Sequence, residues 1–426
     1  MSRPRFSRTV AYVAIVTCLI VAVGTGAEID REGDDLVIKE FEVGRNGEPL
    51  IVKVTLEGHD VPVSMIVDSG CTVTIYDERL QPILGQSVGS RRIALARGEE
   101  KVINEFSHPR AYLDGMPLPR NGTVVAMDLI STQASDPRYD GCLGMDFLKQ
   151  QIVEIDFDEG RLRLLRAVPA DAGEKIEIQF NSHRIPTVEI KVGSLVKERF
   201  ELDTGCIAQN IISQDSFNWL KALDELSRVQ PICSDGVHLW SGERGRVTRT
   251  SLGSFVHRSL HFDTGTHNAL GLWYLSRFKV VLDFPGSAIY LKRGKRFGEP
   301  DRDDMSGMWI IKRNGRGCVT RLGKGSPADR AGVKINDIIM SISGRDAEGL
   351  SIVQMRRLLE EEGKSVVLAV RREGRDIEVR FTLQDYFDDL VSQPQPAKRD
   401  WIASDTNRDR TRPRTSNKSS FPHVSI

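Results

Sequence analysis

Hydrophobic and polar residues alternate with a period of two through most of this chain, so most of its elements read as short, half-buried strands. "PLIVKVTLEGHDVPVSMIV", Pro49 to Val67, predicts two strands joined at Gly58-His59-Asp60, and "PTVEIKVGSLVKERFEL", Pro186 to Leu202, predicts the same pair joined at Gly193-Ser194. Each second strand delivers an aspartate into a small-residue turn, Asp68-Ser69-Gly70-Cys71 and Asp203-Thr204-Gly205-Cys206. Further along, "CLGMDFLKQQIVEIDFDEGRLRLL" from Cys142 matches "ALGLWYLSRFKVVLDFPGSAIYLK" from Ala269 in its Leu-Gly, its apolar run, its Asp-Phe and its closing strand. Between these ends, "ALARGEEKVI" and "LWSGERGRVT" each predict a projecting hairpin around a glycine, Gly98 and Gly242. Residues 45–168 and 172–293 are therefore predicted to be two copies of one β-rich lobe. Two copies are too few to close a solenoid.

A third unit, 303–385, mixes β-patterned runs with two helices. Ser351 and Gln354 form a capping box, Ile352, Met355 and Leu359 fall on one face, and Gly363 is placed at the end of that helix. The tail, 392–426, is rich in Pro, Ser, Thr and Arg and is predicted to be disordered and weakly basic. At the other end Arg3, Arg5 and Arg8 precede an uncharged stretch from Thr9 to Ala27. Residues 1–27 read as a secretory signal cleaved near "GTGA", or as an anchor, since about 19 residues just span a bilayer. Either way the body is expected to be exported, periplasmic or extracellular.

Composition narrows the chemistry. Lys plus Arg equals Asp plus Glu, 59 each, so no net field favours nucleic acid, and no nucleic-acid partner is expected. The six cysteines show no CxxC spacing, and no HExxH occurs; neither a metal nor a cofactor is expected. Most cysteines read as small buried hydrophobes.

A strand leading an aspartate into a Ser/Thr-Gly turn once per duplicated lobe, with a Leu-Gly element downstream ("CLG", "ALG"), resembles the pepsin and retropepsin clan of aspartic proteases. The compact lobes look more like a fused retropepsin pair. The resemblance implies a mainly β fold of two pseudo-symmetric lobes and an aspartic-type endopeptidase acting on polypeptide substrates. It makes Asp68 and Asp203 catalytic, with Ser69, Gly70, Thr204 and Gly205 supporting them; the hydroxyls bond across to the opposite loop in the clan. Two carboxylates in one site share a proton, so one can act as base on a water while the other acts as acid. Gly98 and Gly242 are the substrate contacts this implies. A third copy of the motif, Asp263-Thr264-Gly265, stands only eight residues before Gly271, whereas Asp68 and Asp203 stand 76 and 68 residues before Gly144 and Gly271. Asp263 is therefore assigned to a surface turn. Cys71 and Cys206 follow the glycines where the clan has Ser, Thr or Ala, and Ile207 and Gln209 depart further, so a non-catalytic pseudoprotease scaffold is the alternative.

"GSPADRAGVKINDIIMSISG", Gly325 to Gly344, resembles the central signature of bacterial PDZ domains, with Asn336 standing where Gly usually precedes the aspartate. The resemblance implies a small α+β domain that adds a peptide to a sheet edge and holds peptide C-termini at a loop. By position that loop is Ser306 to Ile310, so Gly307, Met308, Trp309 and Ile310 are the implied contacts.

Overall fold

The structure, a computed structural model, describes residues 36–95, 100–129, 138–194, 196–207, 209–233, 241–313, 315–384 and 423–424. The predicted signal or anchor at 1–27, Gly98, and the tail apart from residues 423–424 lie outside the described residues. Strands account for 48% and helix for 11%, so the protein is mainly β, as the alternation predicts. On Ile51–Leu56, for example, Val52, Val54 and Leu56 are buried while Lys53 and Thr55 face solvent.

The two lobes repeat one sheet topology. In the first, strands run in the order 87–95, 100–107, 123–127, 75–77, 141–143, 63–67, 51–56, 111–113 and 116–117. In the second, the order is 226–233, 241–247, 260–265, 210–213, 269–270, 196–202, 186–192, 250–252 and 255–257. Each strand of the first order has its counterpart at the same place in the second, and the second lobe adds the short strand Gln179–Phe180 against 186–192. In the first lobe the backbone of His423–Val424 adds in parallel to the outer edge, opposite Ala94 and Leu95.

A six-stranded antiparallel sheet built from both lobes joins them, in the order 37–42, 161–165, 152–156, 278–283, 288–293 and 174–177. At its centre Glu154 stands opposite Val281, with Val153 opposite Leu282 and Ile155 opposite Val280. Glu154 and Val281 are the residues that the internal repeat makes equivalent, so a pseudo-two-fold axis passes between them. Apolar side chains of the two lobes and this sheet form one continuous core, from Leu50 to Leu291. Burying one repeat against its own copy gives each lobe the partner face it lacks alone.

The C-terminal module has a separate core around Ile310, Ile339, Met355 and Leu368. Its five main strands run 308–313, 316–322, 338–342, 365–372 and 375–382, with helices Pro327–Arg330 and Ile352–Arg357. The Ser351–Gln354 capping box is present, and Ile352, Met355 and Leu359 are buried together. The helix, however, ends at Arg357 with Leu358 as its C-cap, so Gly363 (φ 78°) belongs to the turn beyond it. Asn336 sits at φ 72°, a conformation that Asn tolerates better than most side chains, which is why it can replace glycine there. Asp337 behind it is fully buried and takes two charge-assisted bonds from Arg372, each 2.7 Å. The module meets the first lobe through Ser351 Oγ, which donates to Glu48 Oε1 (2.7 Å), and Arg357, which donates to the Asn46 carbonyl (2.5 Å).

Candidate active site

Asp68 follows the strand Val63–Val67, and Asp203 follows Val196–Leu202. The Leu-Gly elements fasten both loops from below: the N–H of Asp68 donates to the Leu143 carbonyl (3.0 Å) and that of Asp203 to Leu270 (3.1 Å). In return Met145 N–H donates to Cys71 O and Leu272 N–H to Cys206 O, at 2.7 and 2.9 Å. Each motif therefore rests on its own lobe through four backbone groups. Their meeting is a tertiary event.

The two loops interlock across the pseudo-two-fold axis. Ser69 N–H donates to Thr204 Oγ1 (2.9 Å) and Thr204 N–H to Ser69 Oγ (3.1 Å). The hydroxyls then donate onward, Ser69 to the Leu202 carbonyl (2.6 Å) and Thr204 to the Val67 carbonyl (2.8 Å). All four residues are buried, so every one of these bonds satisfies a group that water cannot reach. Gly70 and Gly205 are glycines for a steric reason. A Cβ on Gly70 would lie 2.5 Å from the Asp203 carboxyl carbon, and one on Gly205 would lie 2.3 Å from that of Asp68. Each carboxyl is thus pressed against the glycine of the opposite loop.

Asp68 and Asp203 are each 1% exposed. Burial, then the Asp203 charge, hold the Asp68 carboxyl well above the usual carboxylate range, against the opposing pull of the Gly70 N–H. That N–H donates to Asp68 Oδ1 at 2.8 Å, while Gly205 and Cys206 N–H groups donate to Asp203 Oδ1 at 2.9 and 3.0 Å. Cys71 donates to the Val73 carbonyl (2.9 Å), and Cys206 Sγ lies 3.8 Å from the Gln209 carbonyl oxygen. The two carboxyls thus stand together where the loops meet, with Asp68 held toward its protonated form by burial and by its neighbour's charge.

Other predicted positions fall elsewhere. Asp263 is not in a surface turn. It lies in the strand Leu260–Gly265, is 8% exposed and receives both arms of Arg244 at 2.6 and 2.9 Å. Asp263 is paired on both sides, opposite Ile211 and Arg244, and Thr264 and Gly265 continue the strand opposite Ile212 and Ser213, so turn propensity is overridden. Gly242 likewise sits within the strand Ser241–Val247 opposite Ile232, not at a hairpin tip. Gly307 adopts φ 79° and leads into the edge strand of the C-terminal module. Met308 and Ile310 turn into its core, 5% and 1% exposed, leaving Trp309 half-buried beneath the Arg321 guanidinium, 4.7 Å from the ring centroid.

Three features of the site went unread in the sequence. Glu201, two residues before Asp203 and so on the same strand face, has its pKa pushed up to about 8 by burial and by the Asp203 charge. It accepts a hydrogen bond from Asn181 Nδ2 (2.8 Å) and lines a pocket of about 260 Å³ with Asn181, Arg199, His267 and Asn268. Tyr139 is buried beside the first loop, its hydroxyl held protonated by burial and by the neighbouring Cys142 and Asp68. In the first lobe Asp146 accepts both the N–H and the hydroxyl of Thr74, at 2.9 and 2.8 Å. The repeat puts Trp273 and Gln209 at the equivalent places of the second lobe. That paired change, visible when the copies are aligned, accounts for Gln209 departing from the first lobe's pattern.

By sequence, residues 318–372 match the family model described as PDZ domain. The curated "Probable periplasmic serine endoprotease DegP-like" of Chlamydia trachomatis is 32% identical over 85 residues, covering 20% of this chain and 17% of the relative. The protein of the same name from Chlamydia muridarum aligns equally. The chain thus spans about a sixth of the length of the curated relatives it matches. Among solved structures, an aspartic proteinase from Irpex lacteus is 12% identical over 60% of this chain and 98% of its own, with a TM-score of 0.40. A photosystem II D1 C-terminal processing protease is 24% identical over 18% and 22%, with a TM-score of 0.18. These comparisons correct the expectation of an aspartic-type endopeptidase: the curated relatives are named serine endoproteases, and no protease family is matched by sequence. By sequence they support a PDZ domain in this chain.

Proposed function

We propose that this chain is an exported, protease-related protein that takes extended polypeptide at its PDZ groove and acts on it at the Asp68–Asp203 site. The observation that carries the reading is the reciprocal Ser69–Thr204 bonding, which holds the two buried carboxyls beside each other. Two carboxyls in one buried site share a proton, so the pair can give and accept a proton at one point of a bound chain. The groove of this reading is the space between the edge strand Met308–Arg313, paired on one side only among the described residues, and the helix Ile352–Arg357. The uncharged stretch Thr9–Ala27 behind three arginines supports export, as does the periplasmic location in the relatives' names.

The test is turnover of an unfolded polypeptide by the purified protein and by Asp68→Asn and Asp203→Asn, with and without a serine-directed reagent. Loss of turnover in both variants, with no effect of the reagent, is the expected result. Turnover that survives Asp68→Asn, or that the reagent abolishes, would assign the carboxyl pair a purely structural role.

A further inference from the structure

The turn that leads into the edge strand of the C-terminal module already holds a carboxylate of its own. The turn at Ser306–Gly307 leads into the edge strand at Met308, and a peptide adding to that strand brings one end against the backbone N–H groups of Ser306, Gly307 and Met308. A terminal carboxylate would need those donors. Two of the three are in use. Ser306 N–H donates to Asp304 Oδ1 (2.7 Å), the Ser306 hydroxyl donates to the same oxygen (2.5 Å), and Met308 N–H donates to Ser306 Oγ (3.1 Å). The second oxygen of Asp304, Oδ2, is buried and accepts no hydrogen bond among the described residues. Asp303 adds negative charge to the same spot, and Arg356 on the neighbouring helix opposes it.

We propose that this groove binds internal stretches of extended polypeptide and does not select free C-termini, because Asp304 and Ser306 occupy the place a terminal carboxylate would take. The proposal rests on the peptide-binding reading above and names the ligand class of that site. A second carboxylate beside Asp304 would have to displace its hydrogen bonds or be desolvated against a like charge, and both cost free energy. A polypeptide that continues past the groove presents a neutral amide at that point and still completes the ladder on the open edge of Met308–Arg313. Burial holds the Asp304 carboxyl up at about 6, so at pH 7.5 the repelling charge is present.

The experiment uses the full-length protein and one alternating Val/Thr peptide carrying a photo-crosslinking benzoylphenylalanine, in three forms: free C-terminal acid, C-terminal amide, and the same segment continued by four Gly-Ser residues. Binding is measured by titrating crosslink yield at pH 7.5, and labelled residues are mapped by mass spectrometry. The expected result is labelling within 308–313 and 352–358, with the three forms within about two-fold of one another. Asp304→Ala frees the turn's donors and should favour the acid by about ten-fold; Asp304→Asn, which keeps an acceptor for Ser306 and so preserves the turn, should favour it by a smaller factor. Ten-fold or greater preference of the unaltered protein for the acid overturns the inference alone. If no form labels these segments, the peptide-binding reading itself falls, and the inference with it.

Discussion

Glu201 makes the stability of the second lobe depend on pH in a direction opposite to that of a salt-bridged carboxylate. Its pKa is about 8 in the folded protein, raised from 4.5 by burial first and the Asp203 charge second. Between those two pH values the folded state keeps a proton that the unfolded state has released, so stability falls as pH rises. The carboxyl costs nothing below about pH 4.5, and its full penalty is reached above about pH 8. At about 1.4 kcal/mol per pKa unit, that penalty is ~3–5 kcal/mol. Glu201→Gln removes the ionisation and retains an oxygen that can accept the Asn181 amide. The variant should therefore match the unaltered protein at pH 4.5–5 and exceed it by ~3–5 kcal/mol at pH 9, with about two-thirds of the gap open at pH 7. Urea unfolding followed by tryptophan fluorescence at pH 5, 7 and 9 measures this directly. Two curves that stay parallel across that range would show that Glu201 ionises normally, through water or a cation reaching it, and would refute the reasoning.

Thr204→Val leaves the Ser69 N–H and the Val67 carbonyl unmet in a buried site and should lower stability by ~2–4 kcal/mol, whereas Thr204→Ser should restore most of it; thermal unfolding distinguishes them. Asp301→Ala should cost ~3–5 kcal/mol, because it strands the Arg277 guanidinium at 1% exposure, and the midpoint of chemical denaturation reports it. Asp263→Asn weakens its pairing with Arg244, which keeps Asp303 as a second partner at 2.9 Å; a loss of ~1–3 kcal/mol in denaturant unfolding is expected, with turnover per folded molecule unchanged. A fragment of residues 300–390 should unfold in a single cooperative transition by circular dichroism, since its apolar core is separate from that of the lobes.

The parts of the fold that were legible are those whose cause is local. Period-two alternation, the turns at Gly58 and Gly193, and the Ser351 capping box are each specified by residues within a few positions of one another. The duplication was legible too, because a repeated pattern needs no knowledge of contacts. Where local signals competed with pairing, they lost. Asp263-Thr264-Gly265 and Gly242 have turn chemistry but lie in strands, because backbone partners from 210–213, 241–247 and 226–233 hold them in their ladders.

Sequence alone thus determined that there are two matching lobes, each ending a strand in an aspartate, and a capped α+β module after them. What it could not determine are the quantities that exist only between lobes and between layers. The carboxyl-to-glycine contacts at Gly70 and Gly205, the crossed Ser69–Thr204 bonds and the raised pKa of Asp68 join residues about 135 positions apart. The pKa of Glu201 depends on how much water is excluded around it, and the filled turn at Ser306 depends on where the Asp304 side chain folds back. Burial and charge–charge energies are set by distance and dielectric in three dimensions, which spacing along a sequence does not encode.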